Sequence, residues 1–133
     1  MHKIICVSCV LLLVFSLMGC QETAYPFLKS VDEIASVEIV WAENSLEYST
    51  QKTLSETEKR QFLDRLGTVK WTEYLGDPPG VYGNTIKVTY NDGTYEMICF
   101  FSAEYVEEGT AQFRWLRCKE TQFNELIQHF LKE

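Results

Sequence analysis

Apolar and polar positions along the chain fall into two periods, and the changes between them lay out the elements. Ser36 to Ala42 (SVEIVWA) is rich in β-branched and aromatic residues and reads as a strand. Leu46, Tyr48 and Thr50 then alternate with Glu47, Ser49 and Gln51, the period of a half-exposed strand. Glu43-Asn44-Ser45 would join the two as a hairpin. Ser30 to Glu33 and Ser55 to Glu58 both have the S-x-x-E form of a capping box, in which the serine and glutamate side chains satisfy the first free backbone N–H groups of a helix. The first predicts a single helical turn. The second opens a helix with Phe62, Leu63 and Leu66 on one face, Glu58, Lys59, Arg60 and Asp64 on the other, and Gly67 as its stop.

Val69 to Leu75 (VKWTEYL) is a further strand, ended by Gly76-Asp77-Pro78-Pro79-Gly80. Thr85 to Tyr90 alternates again, Asn91-Asp92-Gly93 signals a hairpin turn, and Tyr95 to Phe101 returns as a strand. With Asp92 and Gly93 at the turn centre, Tyr90 faces Tyr95, Val88 faces Met97 and Ile86 faces Cys99. All six are apolar or aromatic, whereas a slip of one residue sets Glu96 opposite Val88. Ser102 to Thr110 is polar and acidic and reads as a loop, with Gly109 allowing a turn. Gln112 to Cys118 is the last strand. Lys119 to Lys132 closes the chain as an amphipathic helix, with Phe123, Leu126, Ile127, Phe130 and Leu131 on one stripe. The order predicts an α+β domain: a mainly antiparallel sheet of about six strands with two amphipathic helices packed on it.

The first 20 residues follow a different rule. Lys3 gives a short positive start, and Ile4 to Met18 is an uncharged run of 15 residues, shorter than the roughly 20 that span a bilayer as a helix. Gly19 is small and Cys20 follows it. This is the order of a signal peptide. Leu17-Met18-Gly19-Cys20 resembles the bacterial lipobox. The resemblance covers only these residues. It implies a diacylglyceryl group on the sulfur of Cys20, cleavage between Gly19 and Cys20 by a lipoprotein signal peptidase, and anchoring to the lipid bilayer at the extracytoplasmic face of a cell membrane. Cys6 and Cys9 read as apolar fillers of the discarded peptide, not as a redox or metal pair. The expected division is residues 1–19 as signal peptide, 20–27 as lipidated cysteine and short tether, and 28–133 as one domain. Within it, Gln21 to Pro26 reaches about 20 Å at most, at about 3.5 Å per residue.

Charge narrows the partners. The chain has 12 basic and 19 acidic residues, and loss of Lys3 with the leader leaves a mature charge of −8. Phosphate contacts need clustered Lys and Arg, so an acidic surface argues against nucleic acid and against adhesion to anionic lipid. The domain would rely on its anchor to stay at the membrane, and its partner would be a protein or envelope component. Nothing in the sequence calls for a cofactor or a metal.

Candidate chemistry is sparse. Cys99 and Cys118 are the cysteines left after Cys20, and export permits a disulfide between them. Opposed, they also set Phe101 against Leu116, but other registers are as tidy, so a bridge and two buried free thiols both stand. His129, the single mature histidine, falls near the edge of the last helix's apolar stripe, where a solvated role outweighs a metal ligand. Asp77, Asp92, Glu104, Glu107 and Glu108 read as solvated turn acids. A glycosidase-like pair among them would need a distance that spacing cannot establish. The preferred interaction surface is the 74–84 segment, with Tyr74, Asp77, Pro78, Pro79 and Tyr82, together with Trp71. Its prolines lower the ordering cost of binding and its aromatics offer contact area. The alternative is that Trp41, Trp71 and Trp115 are core residues of alternating strands. Three functions follow: a non-enzymatic binding module, a glycan-acting envelope enzyme or its accessory, and a structural envelope factor.

Overall fold

The computed structural model describes residues 22–132, so Gly19, Cys20 and the leader lie outside the described residues. Eight strands and two helices follow a 3₁₀ turn at Val31–Glu33: β1 (Ile34–Ala42), β2 (Tyr48–Thr53), α1 (Glu56–Leu66), β3 (Thr72–Glu73), β4 (Gly83–Tyr90), β5 (Tyr95–Cys99), β6 (Ser102–Glu107), β7 (Thr110–Arg114), β8 (Leu116–Arg117) and α2 (Glu120–Leu131). The fold is α+β. Six strands form an antiparallel sheet in the order β2-β1-β4-β5-β6-β7, and β3 pairs with β8 beside it.

Both capping boxes form. Ser30 and Ser55 accept backbone N–H groups while Glu33 and Glu58 reach back to the cap backbones. The register carries one row of residues across the sheet as Ile39, Ile86, Ile98 and Ala103, and a neighbouring row as Val37, Val88, Glu96 and Tyr105. Residues two apart on a strand share a face, so these rows belong together. That face is covered by the helices, whose Phe62, Phe123, Ile127 and Phe130 are fully buried. The rings of Phe62 and Phe130 meet edge-on at 5.3 Å, joining helix to helix.

Three expectations change. The 102–110 segment is not a loop: Ser102 to Glu107 is β6, buried at all but its last residue. It lacks the expected alternation because both of its faces are covered. The β4–β5 hairpin takes the slipped register, with Val88 opposite Glu96 and Lys87 opposite Met97. The Gly93 N–H donates to the Tyr90 carbonyl at 3.0 Å, so Asn91 and Asp92 form the turn centre. Gly93, at φ 88°, is the extra residue. A three-residue loop of this kind displaces the register by one relative to a two-residue loop. Finally, the segment before residue 28 is tied to the domain. Thr23 and Trp71 exchange backbone hydrogen bonds at 2.8 and 2.7 Å, and Tyr25 is buried. Val69 to Leu75 is correspondingly only in part a strand, β3 covering two residues.

Candidate functional site

The slipped register brings Glu96 into the core, fully buried, and the surrounding chain satisfies it. Its carboxylate accepts from the Tyr25 hydroxyl at 2.6 Å, the Leu28 N–H at 3.2 Å, the Tyr90 hydroxyl and the Arg114 guanidinium. Arg114 also donates to the carbonyl of Pro26 and lies over the Tyr25 ring, 5.3 Å from its centroid. Burial, with Glu96 close by, pushes the Tyr25 hydroxyl well above the ordinary tyrosine range, and burial does the same to Tyr90. This cluster pins the N-terminal segment across the sheet, and its groups are held for one another, not offered to solvent.

The second buried acid, Glu104, was expected in a solvated turn. It sits on β6, accepting from the Ser45 hydroxyl and from the Val81 N–H at 3.3 Å. Glu104 pairs with Met97 while Glu96 pairs with Tyr105, so the two carboxylates project to opposite faces of the sheet and do not form an acid–base pair. Asp77, Asp92, Glu107 and Glu108 are exposed, as expected. The Lys29 ammonium bonded to Asp92, followed by the Thr94 hydroxyl and N–H, holds that carboxyl down to about 2. Among the described residues, no group of three or more His, Cys, Asp or Glu is placed to hold a metal. His129 is half-buried with its ring edge-on to Phe130.

The tryptophans divide. Trp71 is fully buried, its ring 5.1 Å from Tyr25 and 6.4 Å from Phe123, so it is removed from the interaction surface proposed for it. Trp41 and Trp115 are exposed, which overturns the reading of all three as core. Trp41 meets the exposed Tyr82 ring at 6.0 Å. Trp115 donates through its indole N–H to the Gly76 carbonyl at 2.9 Å, and Tyr74 donates its N–H to the Trp115 carbonyl at 3.2 Å. These two bonds fold the start of the 74–84 segment over the end of β7. Between them opens a groove of about 830 Å³ lined by Pro26, Glu73, Tyr74, Leu75, Arg114, Trp115 and Leu116. Leu75, at the groove's border, is as exposed as a side chain can be.

Of the residues singled out from sequence, Tyr74 lines this groove, and Asp77, Pro78 and Pro79 belong to the loop that leaves it. Tyr82 stands apart with Trp41. Leu75 falls inside the predicted 74–84 segment, though not among its named residues, and Pro26 and Arg114 were missed. Their sequence signals are weak, since one apolar residue at a strand end and one Arg in an exposed strand have many uses. A smaller pocket of about 210 Å³ lies between the helices, lined by Arg65, Thr68, Val69, Gln122, Glu125 and Leu126.

Cys99 and Cys118 are both free thiols. The ladder partner of Cys99 is Ser102, and the Cys118 N–H donates to the Phe100 carbonyl at 2.8 Å, so the two cysteines are near each other without being opposed in one ladder. Burial pushes the Cys99 thiol up to about 11 and the Cys118 thiol up to about 12. Iodoacetamide at pH 8 should therefore label both thiols of the native chain slowly, because the thiolate is the reacting form, and half-buried Cys118 before buried Cys99, because the reagent must reach the sulfur. Mass spectrometry against a denatured control checks this. Fast labelling of both in the native chain would contradict it, as would an intact mass two hydrogens lighter than that of the reduced chain.

Neither a family model, nor a curated protein, nor a solved structure matches the chain.

Proposed function

We propose that the chain is a lipid-anchored, non-enzymatic binding module on the extracytoplasmic face of a cell membrane, and that its contact surface is the groove bordered by Leu75 and Trp115. The observation that carries the reading is the full exposure of Leu75 beside the exposed Trp115 ring, at the border of a groove of about 830 Å³. Holding such residues in water gives up the free energy of burying them, and clustered exposed apolar side chains mark contact sites. The lining suits a protein that presents an apolar anchor side chain. Leu75, Leu116 and Pro26 supply apolar walls, Tyr74 and Trp115 supply rings, and Glu73 adds an exposed charge.

Support for the anchor is the Lys3-initiated apolar run and the lipobox-like Leu17 to Cys20. Thr23 is pinned to Trp71, so Gln21 and Glu22 are the residues between Cys20 and the first paired backbone. Three residues span about 10 Å at most, and a lipid on Cys20 would hold the domain against the bilayer surface. Among the described residues, no helix is long and apolar enough to cross a membrane.

A photo-crosslinking residue at position 75 in intact cells tests the reading, alongside the intact mass of the mature chain. The expected result is an acylated mass starting at Cys20 and one discrete protein adduct. Trp115→Ala, with its fold intact, should weaken that adduct by about tenfold, the effect of losing a hot-spot aromatic. An unacylated mass would sink the anchor, and an adduct indifferent to Trp115 would sink the groove.

A further inference from the structure

The sheet has two edge strands, and they differ in a way that points to a partner. On the β2 side, the ladder to β1 carries a register shift between Ile39 and Val40, and Lys52 reaches from β2 to the Phe130 carbonyl at 2.7 Å and to Glu58 at 2.8 Å. Irregularity and lysine are the usual means of closing a sheet edge. The β7 edge has neither. Its five residues, TAQFR, pair with β6 without a break from Arg114 to Thr110. They include no Lys and no Pro, and Phe113 is exposed. Outside the β6 ladder, residues 110–114 make no backbone hydrogen bond among the described residues.

The hairpin turn decides which groups that edge presents. Glu108 and Gly109 both have positive φ, 48° and 75°, as a two-residue turn of the primed type requires. The turn closes on Glu107 and Thr110, which makes Glu107–Thr110, Tyr105–Gln112 and Ala103–Arg114 the pairs that exchange hydrogen bonds. Ala111 and Phe113 therefore aim their N–H and C=O groups away from β6, at the outer edge of the sheet.

We propose that two copies of the chain join through their β7 strands, antiparallel and centred on Gln112, into one continuous sheet across a two-fold axis. In that register Ala111 of one copy lies opposite Phe113 of the other, and the reverse. These are the outward-facing residues, so about four backbone hydrogen bonds form. The exposed Phe113 ring lies over the other copy's small Ala111, and Thr110 lies opposite Arg114. The acidic turn Glu107-Glu108 of each copy runs toward the end of β7 beyond which the other bears the exposed Arg117, its Arg114 being held by its own Glu96. Shifting the register by one would set outward-facing groups against inward-facing ones and lose the ladder. The match of parity, side-chain size and charge within one short strand favours a second copy over an unrelated polypeptide. This inference does not depend on the anchor or on the groove's ligand.

The test uses the two-fold axis itself. Gln112 meets its own copy, so Gln112→Lys and Gln112→Glu each place like charges directly opposite, which disfavours pairing. Sedimentation equilibrium of the full chain in detergent should show a dimer for the native chain and a dissociation constant raised about fivefold for each variant alone, the upper range for one cross-strand pair. An equimolar mixture of the two variants should restore a dimer at least as tight as the native one. Phe113→Pro removes an outward N–H without touching the β6 ladder and should give monomer with an unchanged circular dichroism spectrum. A native chain that stays monomeric at about 100 µM, a concentration well above that of weak specific dimers, overturns the proposal. So do variants that dimerise like the native chain, or a mixture no tighter than either variant alone.

Discussion

Glu96→Ala should be among the most damaging single substitutions in the chain, costing about 3–5 kcal/mol, the range for breaking one side of a buried ion pair. Glu96 is fully buried and accepts from Tyr25, Tyr90, Arg114 and the backbone of Leu28. Its removal leaves a guanidinium and two hydroxyls without their acceptor. In a domain of this size the melting temperature should drop by about 10–20 °C. The paired change Glu96→Met/Arg114→Met removes both charges and should recover a large share of the loss, because no uncompensated charge then remains. A drop under about 4 °C for Glu96→Ala would show that water replaces the lost acceptor and that the cluster does not hold the fold. The same cluster sets an alkaline limit. Tyr25 and Tyr90 have native hydroxyls raised above the ordinary value of 10.0. A raised native value contributes stability that is fully present below about pH 10 and is lost as pH rises beyond it, when the unfolded chain's tyrosines ionise and the native ones do not. Urea midpoints measured from pH 8 to pH 11 should fall above pH 10, and less steeply in a Tyr25→Phe chain.

Trp71→Ala should cost a similar amount, about 3–5 kcal/mol, by the cavity it leaves between Tyr25 and Phe123. Trp71→Phe should be mild, under about 1.5 kcal/mol, because it keeps most of the ring volume. The indole N–H of Trp71 is buried without a hydrogen-bond partner among the described residues, so its loss costs nothing in bonding there. Leu75→Ala, at a fully exposed position, should leave the melting temperature within a degree or two. Thermal denaturation of the three variants checks the contrast. A Trp71→Ala chain as stable as Leu75→Ala would place the ring at the surface and reinstate it as a contact residue. The practical consequence is that loss of a partner on mutation of Trp71 would report unfolding, whereas loss on mutation of Leu75 or Trp115 would report the groove.

The sequence errors share one cause. The polar content of Ser102 to Glu107 predicts a loop only where Glu104 is a solvated acid. Its partners, Ser45 and Val81, lie 59 and 23 residues away and no local pattern announces them. The hairpin register that the sequence predicts keeps Glu96 from facing Val88, a sound rule for an unpaired acid. The partners that reverse the rule include Tyr25, 71 residues away, and Arg114, 18 residues away. Tyr25 falls within the predicted tether for the same reason. For the site, the 74–84 segment was legible from its glycines, prolines and aromatics, and Tyr74 does line the groove. Which tryptophan faced water was not legible, since Trp41, Trp71 and Trp115 all stand in strand-like runs.

What the sequence determined by itself was local: two capping boxes, two one-faced helices, the alternating strands, the hairpin turns, and hence an antiparallel α+β domain. Periods of 3.6 and 2 and the demands of a turn are set by backbone geometry over a few residues, so composition there is enough. The tertiary structure alone decided which acid is buried, which register the hairpin takes, which tryptophan is exposed and where the groove opens. Each of those depends on groups that distant segments bring together, and a buried charge is tolerated or expelled according to partners that exist only once the chain has folded.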